Sequence, residues 1–512
     1  MDYLSSRIIF SGLRLNRADS QPLHRQIYEY LRGRILQGQI RPGSRLPATR
    51  ALASDLGVSR NTVMNAYRQL MDEGYLEAFA GSDTRVTHTL PEKLLSVEPS
   101  YEPPVQVWAD GAAADDIIKA PPQLSETGKT IMSLQYPYWD RSGVRPFSSA
   151  QPGVDQFPKR VWEKVMLSAW RNLDPIDLSY PSSLGYDPLR ETLAAYLQET
   201  RGVRCDPDQV IITNGAQQAV YTTATLLLNK GDQVWVENPS YNGIKIVLRQ
   251  IQAEIIPVRV DENGLVFEEG FAKAPHARMV CISPSHQYPL GVTMDLTRRL
   301  ELLSWAEEND AWIVEDDYDS EYRYRGYPLE ALQGLDKSGR VIYVGTFSKV
   351  IYPAMRLGYM VVPKALVEPF RLARAYADRG SRLLDQVAMN LFIQEGHMGR
   401  HIRKMRTLYA ARQAVLIDMA NRFLKGQLII EPNDAGLHLV GWLPYGVDDR
   451  AVSAHLLEDG IYAPPISYFA IEPLDRGGLV MGYAAIKEND IISAVKQMAD
   501  SLEKWKRVKG RR

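Results

Sequence analysis

A lysine placed just beyond a buried strand can form a Schiff base with an aldehyde, and hydroxyls and a guanidinium beside it can hold a phosphate. Such a group stands at Val344-Gly345-Thr346-Phe347-Ser348-Lys349, which closes the apolar run RVIYVGT, with Arg356 seven residues after the lysine. Alone, the string also fits an ordinary loop lysine, so its partners decide. Upstream, AWIVEDDYDSEYRYRG ends an apolar strand in carboxylates and a tyrosine. Asp316 can pair with a protonated pyridine nitrogen, keeping such a ring an electron sink, and Tyr318 can bond the ring's phenolic oxygen. A metal site and a surface acidic turn are the competing readings; no His cluster accompanies the carboxylates, which disfavours the metal. Earlier still, VIITNGAQQAVYTTATLLL reads as strand, glycine-containing turn and helix. The unpaired N–H groups and dipole of that helix start suit a phosphate, with Ala216 and Gln217 as backbone donors.

A different chemistry is written near the N-terminus. Residues 45–76, RLPATRALASDLGVSRNTVMNAYRQLMDEGYL, have the form of two helices joined by a tight turn, the second presenting polar side chains to base edges and phosphates. Leu52, Leu56, Val58, Val63, Tyr67 and Leu70 make the buried seam. Ser59, Arg60, Asn61 and Thr62 stand exposed at the start of the second helix, and Arg50 on the helix before it. Arg can bond a guanine edge through two hydrogen bonds, and Asn an adenine edge. A plain three-helix bundle with capping residues is the bland alternative.

These groups need elements to hold them. Leu23, Ile27, Tyr30, Leu31 and Ile35 fall at helical spacing and predict a first helix over 22–38, stopped at Gly38. After the turn IRPGSRLP, helices are predicted over Thr49–Leu56, ended by Gly57, and Ser59–Glu73, ended by Gly74, with Ser59 as N-cap. The stretch YLEAFAGSDTRVTHTL, a Gly-Ser-Asp turn between β-prone flanks, predicts a hairpin. From Leu90 to Pro146 the periodicity gives way to Pro, Ala, Ser and acidic residues, the composition of a linker. Past residue 147, helical patterns alternate with the apolar runs QVIIT, QVWVENP, EIIPVRV, RMVCISP, AWIVEDD, RVIYVGT and LGYMVVP. That alternation predicts an α/β domain with a mainly parallel sheet, whose ligands sit beyond the carboxyl ends of the strands. The expected division is a DNA-reading module over 1–88, a linker over 89–146 and an α/β domain over 147–512.

The bulk composition agrees with this division. At 512 residues the chain exceeds one core, and 45% hydrophobic with 24% charged residues is ordinary for a soluble globular protein. With no membrane-length apolar stretch and no apolar run ending in a cleavage site at the N-terminus, the expectation is a cytoplasmic protein. The two cysteines, Cys205 and Cys281, are too few for a disulfide framework or a zinc site and are read as structural. The net charge of −1 hides an asymmetry: the first 90 residues hold twelve Arg and no Lys against eight Asp plus Glu. A basic module ahead of an acidic body suggests a nucleic-acid contact at one end.

The run GQIRPGSRLPATRALASDLGVSRNTVMNAYRQLMDEGYL closely resembles the winged helix-turn-helix of the GntR family, with its PG-x-x-LP-x-x-R-x-LA signature followed by VSR-x-TV. The resemblance implies that Arg50, Ser59, Arg60, Asn61 and Thr62 contact a double-stranded operator. It departs at the wing, where the family tends to have Gly-x-Gly and this chain has Gly81-Ser82-Asp83-Thr84-Arg85, in which Asp83 is expected to repel phosphate. From Phe147 onward, NGAQQA, PSHQYPLG, EDDYDSEYRY and GTFSK with PAMRLGY resemble the fold-type I aminotransferases, and more narrowly the MocR group, in which such a domain is fused behind a GntR-type module. The implied cofactor is pyridoxal 5'-phosphate, in an α/β domain with a smaller C-terminal subdomain. By the same resemblance Lys349 is the Schiff-base lysine, Asp316 the partner of the pyridine nitrogen and Tyr318 the neighbour of the phenolic oxygen. Tyr241 in ENPSYNG is the aromatic stacked on the ring, and Ala216, Gln217, Thr346, Ser348 and Arg356 form the phosphate cup. Tyr180 reaches the phosphate of a neighbouring subunit in a homodimer. Two positions depart from the aminotransferase pattern: Tyr288 stands where an Asn usually bonds the phenolic oxygen, and Val480 where an Arg usually holds the substrate carboxylate. His438, Arg382 and Arg400 are the candidate substitutes, although His438 in GLHLV reads more naturally as a packed strand residue.

Three functions compete on these grounds. The leading one is a transcription regulator that senses a small amino compound, or the cofactor itself, through its aminotransferase-like domain. The second is an active aminotransferase with an autoregulatory DNA-binding module, and the third an architectural DNA-binding protein whose second domain has lost its cofactor, which the intact lysine argues against.

Overall fold

Ile27, Leu31 and Ile35 recur at helical spacing and are buried on one face of α1 (Leu23–Leu36) in the computed structural model. The structure describes residues 13, 15–17, 21–79, 83–88, 123–133, 145–149, 151–174, 176, 179–326 and 329–509, and the chain divides into two units after Pro122. In the first unit α2 (Thr49–Leu56) stops at Gly57, whose φ of 62° lies in the left-handed region that glycine enters freely. The next helix, α3 (Arg60–Asp72), starts at Ser59, whose hydroxyl accepts a hydrogen bond from the Thr62 N–H at 3.1 Å. Leu52, Val63, Tyr67 and Leu70 join the face of α1 in one core, with Leu56 and Val58 at its edge. A three-stranded sheet completes the unit: β1 (Arg45–Leu46), β2 (Leu76–Phe79) and β3 (Asp83–Val86), with β3 central and both pairings antiparallel. The expected hairpin is β2 and β3; β1 is an addition, because IRPGSRLP reads from sequence as a turn alone.

Within the expected linker, α4 (Glu126–Ser133) is helical and buries none of its residues. Local contacts hold it: Ser125 Oγ accepts from the Gly128 N–H at 3.1 Å, and Lys129 pairs with Glu126 at 2.7 Å. The wing residues Gly81 and Ser82, and most of the linker, lie outside the described residues.

The second unit is built on an eight-stranded sheet. In chain order its strands are β4 (Val210–Thr213), β5 (Gln233–Asn238), β6 (Glu254–Asp261), β7 (Gly264–Leu265), β8 (Met279–Ile282), β9 (Trp312–Asp317), β10 (Val341–Thr346) and β11 (Gly358–Val361). In space they run β4-β11-β10-β9-β8-β5-β6-β7. The five strands from β10 to β6 are parallel, while β11 is antiparallel to both β10 and β4, and β7 to β6. Every residue of β4, β8, β10 and β11 is buried; a sheet covered on both faces needs continuous apolar strands, and this is why these segments read as unbroken hydrophobic runs. Helices α5 (Ala216–Leu227) and α6 (Asn242–Gln250) follow β4 and β5. A smaller antiparallel sheet, β12 (Ile429–Ile430), β13 (His438–Trp442) and β14 (Gly478–Gly482), shares a core with α7 (His397–Phe423) and α8 (Glu488–Lys509). Phe147 belongs to that core, and its carbonyl accepts from the Gly482 N–H at 2.9 Å.

The cap of α3 is open to a direct test. Ser59→Ala should cost the first unit about 1 kcal/mol, read as faster amide hydrogen exchange across α3 in the full-length protein. Unchanged exchange there would mean that the hydroxyl caps nothing of consequence.

Candidate functional site

In β9 successive side chains point to opposite faces, so Glu315 and Asp317 share one face and Asp316 takes the other. The two on the shared face are fully answered. Glu315 accepts from the Leu332 and Gln333 N–H groups at 2.8 and 2.9 Å. Asp317 accepts from Arg201 Nε at 2.8 Å and from the Tyr343 hydroxyl at 2.6 Å. These two carboxylates are structural. Asp316, 6% exposed, has an Oδ1 that is buried with no hydrogen-bond partner among the described residues. Burial, with Asp317 beside it, pushes its carboxyl up to about 7, against the pull of Lys349.

β10 pairs with β9 so that Val344 lies opposite Asp316, and Lys349 follows at the carboxyl end of β10. Burial draws the Lys349 ammonium down to about 8, although Asp319 and Asp316 work against it; Arg356 adds to the fall. The register continues across the sheet: Thr346 lies opposite Gly358, and Gly358 opposite Thr213. That brings the turn before α5 against the start of β11, so close that a Cβ on Gly358 would lie 2.9 Å from the Gly215 Cα. Gly215 itself has φ 106°, and the Arg356 guanidinium sits 3.7 to 3.9 Å from where its Cβ would be. The Gly215 turn that starts α5, the Thr346 end of β10 and the Arg356 guanidinium are thus brought together, a set of backbone amides, a hydroxyl and a cation that suits a phosphate. The Gln217 side-chain amide is used elsewhere, donating to the Gly243 carbonyl at 3.0 Å, which leaves its backbone for that role.

Tyr318 is buried, and its hydroxyl lies 3.0 Å from Nδ1 of His286, which is in turn 3.0 Å from Asp319. Sequence reasoning gave neither His286 nor Asp319 a role; the signal was their place within PSHQYPLG and EDDYDSEYRY. Tyr241, at the start of α6, has its ring 6.3 Å from that of Tyr288, edge to face. Tyr288, Tyr318, Phe469 and Val480 form a separate small cluster, so Val480 does face this site. Tyr180 is not brought to it within the chain: it is 81% exposed, with the Arg379 guanidinium 5.2 Å above its ring. Of the candidate substitutes for the missing arginine, only His438 lies here, its ring 5.1 Å from Tyr288. Arg400 lines a different cavity of about 380 Å³, with Phe157, His401 and Lys404, and Arg382 stands at the N-cap position of the helix Leu383–Gln394 with no side-chain capping bond.

On the first unit, Arg50, Ser59, Arg60 and Asn61 are exposed and Thr62 half-buried. The Ser59 and Thr62 hydroxyls are 2.8 Å apart and engaged in the cap. Asp83 corrects an expectation. It pairs with Arg45 at 2.5 Å and with Arg85 at 2.9 Å, so its charge is met by two cations and the strand pair β1–β3 stays basic; the register Arg45 opposite Arg85 is what places both within reach.

Residues 148–500 match the aminotransferase class I and II family, and residues 23–86 match the bacterial regulatory proteins of the gntR family. Among curated proteins, the chain is 39% identical to the probable rhizopine catabolism regulatory protein MocR of Rhizobium meliloti, over 92% of both chains. The chain belongs to the MocR-type regulators. It is also 29% identical to the pyridoxine biosynthesis transcriptional regulator PdxR of Corynebacterium glutamicum, over 95% of this chain and 98% of that one. A solved kynurenine aminotransferase of Pyrococcus horikoshii superposes with a TM-score of 0.66 at 26% identity, covering 75% of this chain and 95% of that one. The protein is therefore a helix-turn-helix transcription regulator that binds DNA and carries a fold-type I aminotransferase domain. Pyridoxal 5'-phosphate is the cofactor of that fold, and the residues present fit it: the Asp316 Oδ1 would accept from a pyridinium N–H, and Arg356 beside the glycine turn that starts α5 would hold the phosphate. When bound, the cofactor supplies an aldehyde that combines with amines and a ring that withdraws electrons.

Two measurements follow from the lowered Lys349. Borohydride reduction and peptide mapping should fix all bound cofactor on Lys349, and none in Lys349→Ala. Because the neutral amine is the nucleophile, cofactor uptake should quicken with pH and level off near 8 rather than near the ordinary 10.5. Cofactor fixed on another lysine would overturn the assignment.

Proposed function

We propose that this regulator senses a small amino compound at Lys349, with Asp316, Tyr318 and Tyr241 holding the cofactor ring and Ala216, Gln217, Thr346, Ser348 and Arg356 its phosphate. The observation that carries the reading is the pairing of an intact Lys349 and Asp316 with an apolar Val480 in the same site. The first two can bind and exchange amines, whereas an aminotransferase also needs its substrate's carboxylate held for proton transfer. With the cofactor held there, an effector amine would displace Lys349, which would then stand as a free amine. The free-energy difference between the two states biases the arrangement in which the protein binds DNA. Typical couplings of about 1–3 kcal/mol change operator affinity roughly 5- to 150-fold. The cofactor itself is a second candidate effector, favoured by the likeness to a regulator named for pyridoxine biosynthesis.

In this reading residues 1–88 bind the operator, 89–146 link, and 147–512 sense. Arg50, Arg60 and Asn61 contact the operator from an exposed surface, with Ser59 and Thr62 at the helix start. The sensing domain forms a homodimer in which Tyr180, 81% exposed in the single chain, serves the neighbouring site. Cytoplasmic location is part of the same proposal, and no helix among the described residues is long and apolar enough to cross a membrane.

Arg60→Ala should cost about 1–3 kcal/mol of operator affinity and relax preference at one base pair if the guanidinium reads guanine; equal weakening on random DNA would make it a phosphate contact instead. Lys349→Ala should still bind the operator, since the first unit has its own core, but lose every amine-dependent change in affinity. Fast single-turnover conversion of the cofactor to its amine form by ordinary amino acids, with operator binding indifferent to them, would establish the aminotransferase reading instead.

A further inference from the structure

Val480 stands where an aminotransferase usually holds its carboxylate-binding arginine, and the wall around it has a chemistry of its own. In the β13–β14 pair His438 lies opposite Gly482 and Val440 opposite Val480, so His438 and Val480 are diagonal neighbours on one face. Val480 packs with Tyr288, Tyr318 and Phe469, and the His438 ring meets Tyr288 edge to face at 5.1 Å. Among the described residues, the groups that act on this wall are acids, a phenol, an imidazole and Lys349. On Tyr318 they are Asp319, Asp316, Glu237 and the Tyr288 phenol; on His438 they are His286 and Lys349. The nearby Lys245 ammonium is committed to the Phe469 carbonyl at 2.6 Å. A carboxylate against this wall would lie beside Asp316, Asp319 and Glu237, with Lys349, the residue that exchanges the amine, as the cation among these groups.

His438 offers something else. Its Nε2 is 3.1 Å from the Pro289 carbonyl oxygen. A carbonyl only accepts, so Nε2 carries the hydrogen and Nδ1 is a bare acceptor. Nδ1 is buried with no hydrogen-bond partner among the described residues. Burial, with His286 and Lys349 beside it, draws the ring's pKa down to about 3, so it does not meet the need by taking a proton. A buried acceptor left open is costly, and a ligand that donates to it is favoured.

We propose that the effector is a primary amine whose second polar group is an uncharged hydroxyl, donated to His438 Nδ1, and that it bears no carboxylate at that end. The inference rests on the reading of Lys349 as the amine-exchanging residue. Its test uses three amines of one length, 3-aminopropan-1-ol, β-alanine and propylamine, added separately to full-length protein loaded with pyridoxal phosphate while the cofactor's visible spectrum is recorded. Aminopropanol should half-saturate the spectral change at about 5- to 100-fold lower concentration than either of the others. In His438→Phe its advantage over propylamine should fall to within about two-fold, whereas His438→Gln, which keeps a carbonyl acceptor, should retain part of it. Preference for β-alanine in the unaltered protein, or an aminopropanol advantage that survives His438→Phe, overturns the proposal while leaving the sensing role of Lys349 standing. A cofactor fixed on Lys349 whose spectrum none of the three amines moves overturns both.

Discussion

Three consecutive carboxylates, Glu315, Asp316 and Asp317, end a strand of a sheet covered on both faces, and the site depends on how that charge is met. An ionised carboxylate out of water costs several kcal/mol unless hydrogen bonds or a counter-charge answer it. The strand's two-residue period divides the problem. Glu315 and Asp317 go to the face where two helix-start amides, Arg201 and Tyr343 answer them. Asp316 goes alone to the face that Lys349 serves. The fold therefore spends its donors on two acids and leaves the third with an open oxygen, so the unanswered group falls where a ligand's N–H is needed.

The same constraint orders the surroundings. Pairing of β10 with β9 sets the distance between Lys349 and Asp316, and pairing of β11 with β10 and β4 brings Arg356 to the turn before α5. A slip of one residue between β9 and β10 would turn Asp316 toward Arg201 and Tyr343 and destroy both arrangements at once. Chain order places Lys349 33 residues after Asp316, but it is the parallel register that makes them neighbours.

Much of this was legible from the chain itself. Fully buried strands must be continuously apolar, so QVIIT, RMVCISP and RVIYVGT stood out, and Gly57 and Ser59 marked helix ends because each does a task that few residues do. What escaped notice depends on distant partners or on patterns too short to register. The separation of Asp316 from its two neighbours needs Arg201, 116 residues from Asp317 in sequence. Asp83 read as a repulsive charge because its relief by Arg45 depends on a pairing between β3 and the two-residue β1. Helix α4 buries nothing, so no apolar period announces it within the linker composition. His286 and Asp319 sat inside strings valued for other residues, and only folding puts the imidazole between Tyr318 and a carboxylate.

The departures at Tyr288 and Val480 bear differently on an enzyme and on a sensor. An aminotransferase gains rate only from interactions stronger in the transition state than in the ground state, and a clamped carboxylate aligns the bond to be broken. A sensor needs equilibrium binding that differs between two states of the protein, and alignment for proton transfer adds nothing to that difference. Replacing the arginine by Val480 removes one means of that alignment, whereas the amine exchange proposed at Lys349 does not depend on it. It also frees the wall for another contact, and the neutral imidazole of His438 stands there with an unused lone pair. On the proposed reading, a site that keeps the lysine and the ring partner but exchanges a cation for an acceptor keeps the means of capturing an amine and changes which amines it favours.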